Sequence, residues 1–371
     1  MPAPTGPVTL IGHPFAPIGM GEHMRATFRA LRAAQIETRV LDVYGQIRPD
    51  ADLAAEFADV LTDRVGPGPA IHCFNGDEVA DVLALLGDRA GGQPRIIYPA
   101  WELPTYPAPW AAQLERFDIA WGQSHATHAS LAAALRIPVH HVPLPVGFRD
   151  PAPLGRRHFG IPESAFVFLF FFDFTSFIQR KNPQAALRAF AKLVEARPHD
   201  DLRFVIKLNS SRSKPEQRDA FVEELKPLGS RVVLIDRHMP DAEVKALHRC
   251  ADAFVSLHRA EGFGFGMAES MLAGRPVIAT RHSGNLDFMT DNTALLVDCT
   301  LVPVPAGAYP FGEGQVWAEP DVDQAARLMA GLVDDPAAAR ALGARASRHI
   351  RTHFSFRARG LRMAECLARA G

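Results

Sequence analysis

The 371-residue chain carries only four cysteines, Cys73, Cys250, Cys299 and Cys366, scattered with no paired spacing. They read as reduced, mostly buried thiols of a cytoplasmic protein. Net charge is also lacking: 40 basic against 41 acidic residues leave −1, which removes the global electrostatic case for nucleic acid. No apolar run is long enough to span a bilayer. The most apolar, Phe166 to Phe172, is far too short for that and suits a strand buried on both faces of a parallel sheet. No basic segment followed by an apolar stretch opens the sequence, so no signal peptide is expected. What remains, 47% hydrophobic and 22% charged, is ordinary for a globular protein, and the length favours two domains.

The most informative stretch runs from Ser256 to Glu269. An apolar strand, Ala253 to His258, enters a glycine-rich turn, which opens a helix over Gly266 to Ala273. Gly262, Gly264 and Gly266 let backbone N–H groups approach a ligand closely, and a helix N-terminus favours anions. Glu261 and Glu269 bracket the turn. A carboxylate beside a phosphate would be repelled, so both acids suit sugar hydroxyls, which donate to acceptor-only carboxylates. Read by itself, the stretch is equally well a glycine-rich turn with solvated acids.

This stretch resembles the signature of retaining glycosyltransferases of the GT-B fold, the large family four (glycosyl transferases group 1). Its elements are Glu261-Gly262-Phe263-Gly264, four further residues, and Glu269. Leu272 to Thr280 and Ser283-Gly284-Asn285 resemble the next strand and loop of that family. The resemblance covers most of the second half of the chain; the first half is similar mainly in layout. It implies an α/β GT-B fold: two facing Rossmann-like doubly wound domains with the active site in the interdomain cleft. The expected domains are 1–150 for the acceptor and 151–371 for the nucleotide sugar. The last helix, about 355–370, would return toward the first domain or pack within the second.

In the first half, Val8 to His13 reads as a strand, followed by Gly19-Met20-Gly21 and a helical pattern through Met24, Phe28 and Leu31. A lone Gly-x-Gly is weak evidence; in the family, a loop here approaches the donor phosphates. Further strands are expected over Thr38–Val43, Ala70–Asn75, Arg95–Ala100, Asp118–Gln123 and Val139–Val146. Alternation with helices argues for a parallel sheet whose strand ends carry ligand contacts. Trp101 and Glu102 follow one strand: Trp101 either stacks on a sugar face or fills the core of a proline turn. His13 and His125 are further acceptor-site candidates. Ser124 suits an N-cap, with a diphosphate able to share that helix end. The triplets Asp50-Ala51-Asp52 and Asp321-Val322-Asp323 sit where helices begin, which explains them better than a metal does. No metal site is expected.

The proline-rich segment Pro143 to Pro153 is the linker candidate. A strand over Phe166–Phe174 then leads into Thr175 to Pro183, with Arg180 and Lys181 adjacent before a helix over Gln184–Glu195. Such a pair suits a diphosphate clamp or a solvated surface. The family resemblance expects an Arg where Thr175 stands and a Lys at Lys181, leaving Arg180 or Lys207 to substitute for the first cation. Lys207 closes a strand read as Leu202–Ile206. After the strand Arg231–Asp236, the loop holding His238 is where family members cradle the base, and Asp241 is expected to cap the following helix. The loop from Val302 to Pro320 resembles an extension found in a bacterial branch that includes surface-polysaccharide glycosyltransferases and mannosyltransferases.

By the resemblance, Glu261 holds the transferred sugar and Glu269 the ribose. Amides around Phe263, Phe265 and Met267, with Lys207, Arg180 or Lys181, neutralise the departing diphosphate. The implied donor is a GDP- or UDP-linked sugar, with GDP-mannose first, and no cofactor beyond it. The acceptor is a saccharide or a lipid-linked saccharide; the latter would bring the protein peripherally to the inner face of the membrane. Competing classes on the same fold are a nucleotide-sugar 2-epimerase and a non-catalytic sugar-nucleotide binder.

Overall fold

The computed structural model describes residues 6–89, 91–148 and 151–370. The chain forms two compact units: Met1–Gly147 with Thr352–Gly371, and Phe148–Arg351. No described helix is long and apolar enough to cross a membrane.

Unit 1 is built on six parallel strands, β1 (Val8–Gly12), β2 (Thr38–Asp42), β3 (Ala70–Cys73), β4 (Arg95–Ile97), β5 (Ile119–Gly122) and β6 (Val139–His141), in the order β2-β1-β3-β4-β5-β6. Between them run α1 (Gly19–Ala33), α2 (Ala51–Phe57), α3 (Val79–Leu86), α4 (Ala108–Leu114) and α5 (His125–Ala134). Every residue of β1, β3 and β5 is buried, as expected of strands covered by helices on both faces. The sixth strand is shorter than the Val139–Val146 expected, since Pro143 and Pro145 offer no N–H to a ladder.

Unit 2 has β7 (Phe166–Asp173), β8 (Leu202–Asn209), β9 (Val232–Ile235), β10 (Ala253–Ser256), β11 (Val277–Thr280) and β12 (Leu295–Val297), in the order β12-β11-β10-β7-β8-β9. Its helices are α6 (Ile178–Lys181), α7 (Pro183–Ala196), α8 (Pro215–Leu225), α9 (Asp241–Cys250), α10 (Phe265–Leu272), α11 (Val322–Asp334) and α12 (Pro336–His353), which ends at the unit boundary. An antiparallel hairpin, β13 (Cys299–Pro303) with β14 (Val316–Pro320), carries the proline-rich loop. The phenylalanine run fills a central strand. Phe168, Phe170, Phe172 and Phe174 join one core with Phe190, Phe204 and Phe221, while Phe171 faces the other side and packs edge-on against Phe254. Chain order therefore reverses between β7 and β10, the switch point where open α/β sheets bind ligands.

The final helix, α13 (Phe356–Ala370), belongs to unit 1 and packs on α1. The two cross closely at Gly360, where any Cβ would overlap the Ala30 carbonyl. Asp50 and Asp321 are N-caps, accepting from Leu53 N (2.8 Å) and Gln324 N (2.9 Å). Asp241 is not a cap as expected; it is the first residue of α9, and its carboxylate pairs one turn on with Lys245 at 3.1 Å.

Candidate functional site

The switch point of unit 2 brings two segments together. From β7 come Phe174 to Asn182, ending in the single turn α6; from β10 come Leu257 to Gly264. Bonds to the backbone tie them: Asn182 Nδ2 donates to Leu257 O (2.9 Å), Arg259 N to Arg180 O (2.8 Å), Arg180 Nη1 to Ala260 O (2.8 Å) and Arg259 Nη1 to Gln179 O (2.7 Å). Asn182 takes the left-handed conformation (φ 51°) that lets α6 stop and α7 start at Pro183.

Glu261 sits at the centre of this junction, its side chain 12% exposed. Its Oε2 accepts from Lys181 Nζ at 2.5 Å, and Arg180 Nη1 lies 3.4 Å from Oε1. Burial pushes the carboxyl upward, but Lys181 and Arg180 outweigh it and hold the group at about 2. The backbone is fixed as firmly. Ser283 Oγ donates to Glu261 O (2.6 Å) and accepts from Glu261 N (3.1 Å), and Gly284 N donates to the same carbonyl (2.9 Å). Gly284 presses on the Gly262 carbonyl, so a Cβ there would overlap it. Asn285 completes the latch, with its amide on Thr280 O (3.0 Å) and Oδ1 3.1 Å from His258 Nε2. Burial pulls His258 down to about 4, so at neutral pH it is an uncharged hydrogen-bonding partner.

The glycine turn then opens α10. Gly264 has φ 101°, which disfavours any side chain, and a Cβ on Gly266 would come within 2.8 Å of the Phe171 ring. The amides of Phe265 and Gly266 belong to the open first turn, where a helix end attracts anions. Met267 does not join them as expected, because its amide turns back to Gly264 O at 3.1 Å. Phe263 is 3% exposed and packs on Phe265 and Phe288, so its backbone alone is available.

Glu269 is more enclosed than expected of a ribose acceptor: its side chain is 6% exposed. One oxygen takes the Lys245 ammonium, and the other lies 3.2 Å from His248 Nε2, whose Nδ1 is 2.7 Å from Ser270 Oγ. Burial lowers His248, and Glu269 opposes that shift. This pairing fixes the orientation of the carboxylate. Lys245 and His248 were not singled out in the sequence; the signal was Asp241 and Lys245 at i,i+4 on the helix preceding β10.

Several expectations need correction. Arg180 is 3% exposed and spends its donors on Ser176 O, Ala260 O and Glu261, so it supports the turn rather than reaching outward. Lys207 does not close its strand: β8 continues to Asn209, to whose Oδ1 the ammonium donates. Burial pulls Lys207 down to about 8, against the attraction of Asp173. It lies on the strand beyond β7 from Glu261. Thr175 is engaged by Asp173, which accepts from its N (2.8 Å) and Oγ1 (2.6 Å). His238 is exposed in the loop before α9.

In unit 1, Ser124 is fully buried and caps α5, accepting from Thr127 N at 3.2 Å, so its hydroxyl is spent on the cap. Trp101, expected against a sugar, is a core residue at 2% exposure, edge-on to Tyr106 and Trp110, with its N–H on Thr105 O. Glu102 beside it is half-buried. His125 is exposed at the start of α5, its ring 3.8 Å from His141. Gly19, Met20 and Gly21 form no loop; they are the first turn of α1, with Gly21 packed against the Ala16 carbonyl. His13 follows β1, and its Nε2 lies 2.6 Å from Glu78 Oε1.

Comparison with known proteins agrees with this geometry. Residues 165–304 match the model of glycosyl transferases group 1. The D-inositol 3-phosphate glycosyltransferase of Corynebacterium urealyticum is 34% identical over 146 residues, 38% of this chain and 34% of that protein. The chain thus spans about a third of the length of such curated relatives. Among solved structures, Anabaena Alr3699/HepE in complex with UDP and glucose superposes over 98% of this chain and 100% of its own, with a TM-score of 0.72 and 13% identity. Sucrose-phosphate synthase from Thermosynechococcus elongatus covers 98% of both chains at a TM-score of 0.67 and 17% identity. Residues 165–304 thus resemble the group 1 glycosyltransferases, and the chain has the GT-B fold of two parallel-sheet α/β domains.

Proposed function

We propose that the protein is a retaining glycosyltransferase that moves a hexose from a nucleotide-diphosphate sugar to a saccharide or lipid-linked saccharide. The observation that carries this reading is Glu261: a carboxylate nearly out of water, kept ionised by Lys181 and locked by Ser283, at a switch point beside an open helix end. In this reading Glu261 accepts hydroxyls of the transferred sugar and Glu269 those of the ribose. Lys181, whose side chain is 20% exposed, and the amides of Phe265 and Gly266 stabilise the diphosphate as it leaves. The departing phosphate takes the proton of the acceptor hydroxyl, which leaves retention of configuration without a protein nucleophile. No metal is needed for these steps. GDP-mannose and UDP-hexoses are the donors to test first; the UDP-glucose complex of HepE supports including UDP-glucose.

The test is calorimetry with nucleoside diphosphates, coupled to a transfer assay. Glu269→Ala is expected to weaken nucleotide binding at least tenfold, and Glu261→Ala to lower turnover at least a hundredfold with nucleotide affinity nearly kept. Equal losses of affinity in both variants would contradict the division of roles. EDTA is expected to leave turnover unchanged; a loss restored by manganese would overturn the metal-free mechanism. Release of an epimerised sugar nucleotide without any acceptor would replace the transferase reading with the epimerase one.

A further inference from the structure

Unit 1 has its own switch point, between β1 and β3, where chain order turns from β2-β1 to β3-β4. A cavity of about 330 Å3 opens there, of the size that takes small ligands. His13 enters it from the end of β1, Asp42 from the end of β2, and Glu78 from the loop after β3. We propose that this cavity binds an uncharged alcohol with an apolar portion, of the alkyl-glycoside type, and rejects the phosphorylated counterpart; its service as the acceptor site rests on the transferase reading above.

The polar part of the site is built and fixed. Glu78 Oε1 lies 2.6 Å from His13 Nε2, its Oε2 accepts from Asn75 N at 3.1 Å, and the His13 ring stacks on Tyr44 with centroids 4.7 Å apart. A carboxylate held this way presents its remaining lone pairs to hydroxyl donors. The apolar part is unusual for a surface. Ile18 and Ile47 both line the cavity while 38% and 41% exposed, and Phe15 backs them. Two large aliphatic side chains left wet beside one cavity mark a place for apolar matter.

The charge balance decides the class of head group. No lysine or arginine lines the cavity among the described residues, whereas Glu78 and Asp42 do. Burial first, and then the carboxylates of Glu78, Asp81 and Asp77, push Tyr44 up to about 12. The amino end of α1 offers about half a positive charge; Glu22 in its first turn is already paired with Arg25 (3.0 Å) and Arg29 (3.4 Å). Two carboxylates outweigh that half-charge, so a phosphate group meets net repulsion.

Calorimetry on the full chain with hexyl β-D-glucoside and hexyl phosphate tests this. The glucoside is expected to bind at least tenfold tighter, Ile47→Asp to weaken it at least tenfold, and Glu78→Gln to narrow the gap between the two. Methyl NMR on the unmodified protein gives a readout that no misfolded variant can blur: the Ile18 and Ile47 signals are expected to move with the glucoside. Hexyl phosphate binding as tightly as the glucoside, or isoleucine signals that stay still, would overturn the proposal. Glucoside binding at this cavity without transfer of sugar from any donor the protein turns over would keep the site and remove its acceptor role. Failure to bind any nucleotide sugar would remove the transferase reading and leave the cavity standing.

Discussion

Glu261 is the residue where local chemistry is most exposed to test. Its folded value is depressed to about 2 from 4.5, so the carboxylate contributes stability above about pH 4.5 and loses it as pH falls toward 2. Replacement by Gln also strands Lys181 and Arg180 without their counter-charge. Glu261→Gln is therefore expected to cost on the order of 3 kcal/mol at pH 7 and progressively less below pH 4.5. Urea denaturation of both proteins from pH 7 to 3 measures it, and a gap that stayed constant would deny the pairing. The identity of Glu261 was legible in the sequence because its glycines and eight-residue spacing to Glu269 travel together. Its counter-ions were legible only as an adjacent Arg-Lys pair. That Lys181 reaches the carboxylate while Arg180 braces the Ala260 carbonyl depends on how one turn of helix is pinned to β10, which no spacing encodes.

At the scale of elements, helices and strands followed the patterns of the chain, while close approaches between them did not. The double-sided burial of β7 was readable from its consecutive apolar residues, and α7 was expected over Gln184–Glu195, one residue inside each observed end. The latch formed by Ser283 on the backbone of Glu261 was not, because its two halves are 22 residues apart. Ser283→Ala is expected to lower sugar transfer at least tenfold with a smaller change in nucleotide affinity, since it frees the turn without touching the ribose carboxylate; unchanged turnover would show the latch to be idle. Glycines within helices give a second test. Gly331 lies exposed on α11 with open space around it, so Gly331→Ala is expected to stabilise by up to about 1 kcal/mol. Gly343 on α12 faces the Gly274 carbonyl, where a Cβ would overlap it, so the same substitution there is expected to lower the melting temperature. Shifts of the same sign at both positions would contradict the packing.

For the whole molecule, buried histidines in both units add to the acid sensitivity that Glu261 confers. Burial holds His23 at about 3, His72 at about 4 and His258 at about 4, and lowers His248 too. Folded values below 6.5 mean the unfolded chain takes up protons first, so stability is full above about pH 6.5 and falls as pH drops toward 4. Each histidine contributes a slope of at most about 1.4 kcal/mol per pH unit. Denaturation at pH 7, 5.5 and 4.5 is expected to show that decline, with a shallower slope in His23→Phe; equal slopes would remove His23 as a cause. The sequence by itself determined the fold class and the glycine turn with its two acids, because strand and helix periods and turn chemistry are local properties. Only the tertiary structure decided which groups those acids meet, that Trp101 and Ser124 lie inside, and that His13 has Glu78 as its partner 65 positions on. The physical reason is that charge pairing, burial and close packing depend on distances in space, and strand order sets those distances with no trace in the spacing of residues along the chain.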